Sequence, residues 1–222
     1  MSEVKLTIIS DTHNQHNQLV IPDGDILIHC GDFSSRGSQK EFDNFIIWFK
    51  EQPHEYKILV AGNHDIYLEC RNEQISSKLL KDNIFYLENE PVLLHGIWFH
   101  GFLYTPTFGD WAFMSNRPEM NKQLKKIHKN TDVLICHGMP YGIMDIAPRI
   151  NTSVGCKDLL DTVDTIKPKL VCGGHLHSGY GEEVTEDTLF VNASVCNEQY
   201  IPSNKPQVVY FDTETQNCWS EI

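Results

Sequence analysis

The segment YKILVAGNHD, Tyr56–Asp65, decides the fold: the apolar-leaning run Lys57–Ala61 stops at a glycine and gives way to Asn63, His64 and Asp65. The same change from apolar run to polar cluster recurs along the chain. Asp11-Thr12-His13 follows Leu6–Ser10, and Gly31-Asp32 follows the run that begins with Asp25–His29. His137-Gly138 follows Asp132–Cys136, and Gly174-His175-Leu176-His177 follows Lys169–Gly173. Further strand-like runs are Val92–Gly101, Leu189–Ala193 and Gln207–Asp212. Apolar runs this short read as buried strands, and in open α/β sheets ligand sites collect beyond the carboxyl ends of strands. Polar clusters at successive strand ends can therefore converge on one place.

Helical patterns lie between the runs. In Ser38–Lys50, Phe42, Phe45, Ile46 and Phe49 recur at i, i+3, i+4, i+7, and Ser38 with Glu41 has the spacing of a capping box. Arg117–Lys129 and Cys156–Ile166 are further helices, the second closed by Pro168. Alternation of strands and helices predicts an α/β layered fold, with the strand-rich later half forming a second sheet. At 222 residues a single domain spanning 1–222 is expected. The longest connection, Tyr141–Gly155, follows a polar cluster, and long loops in that position are often functional.

Composition narrows the function. A hydrophobic fraction of 41% and a formal net charge of -12 suit a soluble protein and disfavour a partner such as duplex nucleic acid, which needs a basic face. No apolar run approaches the roughly 18 residues of a membrane span. Met1–Lys5 lacks a basic, then apolar leader, so a cytoplasmic location is expected. The seven cysteines are scattered without a C-x-x-C pair, which excludes a thiolate zinc cluster or disulfide framework. Cys30, Cys136 and Cys172 read as small buried residues.

Each polar cluster alone has a plain alternative. Asp-x-His and Gly-Asp occur in ordinary turns, Gly-Asn-His-Asp can be an Asx turn, and His137 can be a satisfied histidine at a strand end. His175 and His177, two apart around a turn, have more metal-ligand character. Carboxylate, amide and imidazole donors without thiolate suit Mn, Fe or Zn. Such a set can hold two divalent metal ions, which makes a locally cationic pocket in an acidic protein.

The order Asp-x-His, Gly-Asp, Gly-Asn-His-Asp, His, Gly-His-x-His resembles the calcineurin-like metallophosphoesterase superfamily. The stretches Ile9–Phe33, Tyr56–Asp65, Thr105–Phe113 (TPTFGDWAF), Cys136–Asp145 (CHGMPYGIMD), Gly173–Gly181 (GGHLHSGYG) and Val191–Cys196 (VNASVC) are similar to its metallophosphoesterase-domain-containing branch, near class III cyclic-nucleotide phosphodiesterases. The resemblance implies a four-layer α-β-β-α sandwich of two packed mixed β-sheets flanked by helices. It implies one metal held by Asp11, His13, Asp32 and His177, and a second by Asp32, Asn63, His137 and His175, with Asp32 bridging. His64 would act as acid or charge stabiliser, oriented by Asp65, which stands where some relatives carry Glu.

The implied function is hydrolysis of a small phosphodiester, a (cyclic) nucleotide among the candidates, by in-line attack of a hydroxide held between the metals. The alternatives are a phosphomonoesterase or protein phosphatase on the same site, or a catalytically inactive binding scaffold. A homodimer is compatible with either enzyme. In the aromatic loop Phe102–Phe113, Tyr104, Phe108 or Trp111 can stack on a nucleobase, but core packing is the favoured reading for Trp111 and Phe113. A dianionic monoester calls for an arginine contact. The arginines are Arg36, Arg71, Arg117 and Arg149, the last in the long loop.

Overall fold

The computed structural model describes residues 2–70 and 72–220. Two six-stranded sheets form the centre of the molecule. The first contains β1 (Glu3–Ile9), β2 (Ile26–His29), β3 (Tyr56–Leu59) and β4 (Ile84–Tyr86), all parallel. The second contains β5 (Pro91–Leu94), β6 (Ile97–Phe102), β7 (Val133–Gly138), β8 (Leu170–Gly174), β9 (Gly181–Val184) and β10 (Leu189–Asn192), in the order β9-β10-β8-β7-β6-β5. There β6, β7, β8 and β10 run parallel and the edge strands β5 and β9 run antiparallel. The chain then returns to the first sheet with β11 (Gln207–Asp212) and β12 (Asn217–Ser220), antiparallel beside β1.

Strands buried on both faces need apolar residues at every position, not at alternate ones. In β7, Val133 and Ile135 point into the core between the sheets, while Leu134 and Cys136 point outward under helices. The same alternation places Leu170 and Cys172 inward and Val171 outward, then Leu189 and Val191 inward and Phe190 outward. On that outer face lie Met120 and Leu124 of α4 (Arg117–Leu124) and Leu159 and Val163 of α5 (Lys157–Ile166). The outer face of the first sheet is covered by α1 (Gln39–Glu51), whose Phe45 and Phe49 pack edge-on against His29 of β2. Two short helices, α2 (Ile66–Glu69) and α3 (Asn72–Leu79), lead into β4. The layers are therefore helix, sheet, sheet, helix, as the resemblance implies.

Several expected elements differ in extent. The run Val92–Gly101 is two antiparallel strands, because His95 and Gly96 both take positive φ (50° and 79°) and make a two-residue hairpin turn. The expected helix Arg117–Lys129 ends at Leu124, where Lys126 and Ile127 bond three residues back instead of four. The short edge strands β4, β9 and β12 carried too few residues to stand out. Cys30, Cys136 and Cys172 are buried free thiols.

The start of α1 ties the core to the loop after β2. Ser38 Oγ accepts from Glu41 N, and the Glu41 carboxylate accepts from Ser38 N (2.7 Å), Ser35 N (3.2 Å), Arg36 N (3.1 Å) and Asn14 Nδ2. Burial alone would raise the Glu41 carboxyl, but these donors, Ser38 foremost, bring it down to about 2 from the ordinary 4.5. Its stabilisation is therefore complete above pH 4.5 and lost as pH falls toward 2. Ser38→Ala is expected to cost about 1 kcal/mol in urea unfolding at pH 7. Glu41→Gln is expected to flatten the acid limb of the stability curve between those pH values. An unchanged acid limb would show that the capping carboxylate is not what titrates.

Candidate metal centre

Every polar cluster read from the sequence lies beyond the carboxyl end of a parallel strand. Asp11 and His13 follow β1, Asp32 follows β2, and Asn63 and His64 follow β3. His137 ends β7, and His175 and His177 follow β8. The two sheets are joined at this end: Ser10 N donates to Ala193 O (2.9 Å) and Val195 N to Ser10 O (3.0 Å). Asp11, His13, Asp32 and His175 all take left-handed backbone (φ 55°, 40°, 57° and 69°), which non-glycine residues adopt only when the surroundings impose it. Glycine is required beside them. A Cβ on Gly62 would collide with Asp32 and His137, and one on Gly174 with Asp11 and Ser10.

The side chains converge in overlapping groups. Within 4.8 Å of one another lie ligand atoms of Asp11, His13 and His177, of His13, Asp32 and His64, and of Asp32, His137 and His175. His137 Nε2 is 3.3 Å from Asp32 Oδ2 and 3.0 Å from Asn63 Oδ1. His177 Nε2 is 3.5 Å from Asp11 Oδ1 and 3.2 Å from His13 Nε2. Asp11 Oδ1 is fully buried with no hydrogen-bond partner.

The backbone fixes which nitrogen faces inward. His13 Nδ1 contacts Ser34 O (3.1 Å), His64 Nδ1 contacts Ser35 O (2.8 Å), His137 Nδ1 contacts Cys30 O (3.0 Å) and His177 Nδ1 contacts Asn197 O (2.7 Å). A carbonyl oxygen only accepts, so each Nδ1 carries the proton and each neutral Nε2 directs a lone pair toward the others. Lone pairs and carboxylate oxygens facing one another at about 3 Å repel unless a cation or a proton lies between them. An orphaned buried carboxylate oxygen amid such donors fits a divalent metal well.

Titration follows the same logic. Burial alone would raise Asp11 and Asp32, yet His177 beside Asp11 and His137 beside Asp32 hold both below the usual carboxylate range. Burial opposes charge on His137, but Asp32 outweighs it and raises the imidazole to about 9. Burial, then the neighbouring His137, lowers His175 to about 4.

Asp65 does not orient His64 as expected. Its carboxylate accepts from Asp32 N (2.9 Å), Gly62 N (2.8 Å), Ser34 N (3.1 Å) and Ser34 Oγ (2.7 Å), so it braces the loops after β2 and β3. The His64 ring is held by the Ser35 carbonyl instead. Asp65 sits three residues past Gly62, closing a turn on its own backbone, which leaves it facing away from the ring. Two supports were not foreseen: Ser194 Oγ donates to Asp11 Oδ2 (2.8 Å), and Asn192 Nδ2 donates to Leu176 O (3.0 Å) in the loop of His175 and His177.

Residues 4–179 match the family model of the calcineurin-like phosphoesterases. The chain belongs to that family. Metallophosphoesterase domain-containing protein 1 of Homo sapiens is 34% identical, across 94% of this chain and 71% of its own length. UPF0046 protein K07C11.7 of Caenorhabditis elegans is also 34% identical, across 96% of this chain and 77% of its own. Among solved structures, TT1561 of Thermus thermophilus shares the fold, with a TM-score of 0.67 and 13% identity over 98% of both chains. Calcineurin-like phosphoesterases are metal-dependent hydrolases of phosphoric esters, which sets the reaction class here.

In this member of the family a cleft of about 320 Å³ opens beside His175 and His177, walled by Arg149, Ile150, Glu198 and Tyr200. Of the other arginines, Arg117 pairs with Asp158 at 2.9 Å and Arg71 lies outside the described residues. Phe113 is buried as expected, but Trp111 is not core: it is 39% exposed, with its ring centroid 4.3 Å from that of His64. No helix among the described residues is long and apolar enough to cross a membrane.

Protons on His137, and on His177, which Asp11 raises against burial, must leave when a cation binds. Uptake of Mn at pH 7 is expected to release on the order of one proton per chain or more, and apparent affinity should climb as pH rises toward 9, the His137 value. Calorimetry in two buffers of different ionisation enthalpy measures this; buffer-independent heat would contradict the assignment of inward lone pairs.

Proposed function

We propose that the chain is a two-metal phosphodiesterase of small substrates. Asp11, His13, Asp32 and His177 hold one divalent cation, and Asp32, Asn63, His137 and His175 the other, with Asp32 shared. The observation that carries this reading is the set of inward Nε2 atoms facing carboxylate oxygens, with Asp32 Oδ2 4.0 Å from His13 Nε2 on one side and 3.3 Å from His137 Nε2 on the other. When bound, two such cations offset phosphoryl charge and supply an activated water. The donor set suits Mn, Fe or Zn.

His64 is the residue for proton transfer to the leaving oxygen. Its Nδ1 is engaged by Ser35 O, and its Nε2 faces the cluster from a half-buried ring. Asp65 keeps the His64 loop in place by holding Gly62 N and Asp32 N together. A diester suits the cleft because it carries one negative charge, whereas a dianionic monoester gains more from arginine forks. Arg149 is the one arginine that lines the cleft among the described residues.

With Mn, bis(p-nitrophenyl) phosphate is expected to be cleaved better than p-nitrophenyl phosphate; the reverse preference would overturn the diesterase reading. His64→Ala should lower kcat by roughly 10²-fold or more for an alkoxide leaving group and much less for p-nitrophenolate, which needs no proton. Equal losses on both would remove His64 from that role. Arg149 favours a second reading, the monoesterase: a selective loss of monoester turnover in Arg149→Ala would support it.

A further inference from the structure

Three large aromatic rings stand exposed around the histidine cluster, two from the loop before α4 and one from the segment after β10. Phe108 is 56% exposed, Tyr200 49% and Trp111 39%. Their ring centroids lie 5.2 Å from His175 for Phe108, 4.3 Å from His64 for Trp111, and 4.8 Å and 5.2 Å from His13 and His177 for Tyr200. Scattered exposed aromatics need no explanation, but exposed rings gathered on one centre do. Burying them would have been easy: Ala112 and Phe113, next to Trp111, are 2% and 3% exposed.

The rings are also held still. Ala112 N donates to Asn63 O (3.1 Å) and Phe113 N to Glu69 Oε1 (2.7 Å), which fixes the backbone that follows the bend presenting Trp111. Tyr200 takes left-handed backbone (φ 59°), donates its N–H to Asn197 O (2.8 Å) and accepts at its own carbonyl from Gln15 Nε2. Asn197 Oδ1 meanwhile accepts from Gln199 N and Ile201 N, both at 3.0 Å. A rigid aromatic loses little entropy when a flat group stacks on it.

Resting on the diesterase reading above, we propose that Trp111, Phe108 and Tyr200 form an aromatic collar that selects phosphodiesters bearing a flat aromatic group, a nucleobase or an aryl ring, next to the phosphate. The collar acts on binding. The phosphate sits at the histidines and the planar group lies against the exposed rings, with Arg149 on the cleft wall to meet negative charge. Base-to-aromatic stacking tolerates any base, so the collar sets a class of substrate and no particular nucleotide.

Three diesters with one leaving group test this: thymidine 5′-(p-nitrophenyl) phosphate, bis(p-nitrophenyl) phosphate and ethyl p-nitrophenyl phosphate. Wild type should favour the first two over the ethyl ester. Trp111→Ala and Tyr200→Ala should each erase about tenfold of that preference, through KM and with kcat and metal content kept. Trp111→Phe and Tyr200→Phe should restore it. If the thymidine ester alone is favoured the ligand is a nucleobase, and if both are favoured any aryl ring serves. Equal kcat/KM on all three diesters, or alanine variants that weaken all three alike, would overturn the collar. Binding is read separately by Trp fluorescence: thymidine 5′-monophosphate should quench it and ribose 5-phosphate should not, with the quench lost in Trp111→Phe. If no diester is cleaved the diesterase reading fails, while that titration still decides for or against the collar.

Discussion

Four hydrogen bonds from imidazole Nδ1–H to backbone carbonyls set the chemistry of this molecule. They hold His13, His64, His137 and His177 in one tautomer and aim their Nε2 atoms at Asp11 and Asp32. The result is a cluster whose members are all acceptors. Protons satisfy it partly, which is why His137 is raised to about 9 although burial works against its charge. Divalent cations satisfy it more fully, because one ion can meet several lone pairs at once.

The rest of the structure serves to keep that strained arrangement together. Parallel strands in both sheets end at the same level, and the Ser10 bridge to Ala193 and Val195 closes the gap between the sheets just beneath the cluster. Left-handed backbone at Asp11, His13, Asp32 and His175 turns these residues back over the strand ends. Each such residue costs on the order of 1 kcal/mol or more, an amount that the double-faced core of two sheets can absorb. Glycine at 62 and 174 is a matter of space, since no side chain fits against Asp32 or Asp11 there.

Much of this was legible in the sequence, and the exceptions have physical causes. Apolar runs that stop at Asp, Asn or His marked the strand ends, because a strand buried on both faces must be apolar throughout and a site must be polar. Ser38 and Glu41 marked the start of α1 through a local hydrogen-bond pattern. Asp65 misled: adjacency to His64 suggested contact, whereas the turn at Gly62 points the carboxylate at backbone amides. Ser194 and Tyr200 were unreadable because their partners, Asp11 and His13, lie near the other end of the chain and no local pattern announces such a meeting. Trp111 was hidden by composition, since an aromatic among aromatics reads as core until its neighbours are seen to take the buried places.

The use of peptide oxygens as anchors has an evolutionary consequence. The groups that orient the imidazoles belong to Cys30, Ser34, Ser35 and Asn197, and it is their main-chain oxygens that receive the imidazole protons. Every amino acid possesses that oxygen. Codons at those positions can drift so long as the loop keeps its path, leaving the inward-facing nitrogens undisturbed while the exposed rim diverges to suit new ligands.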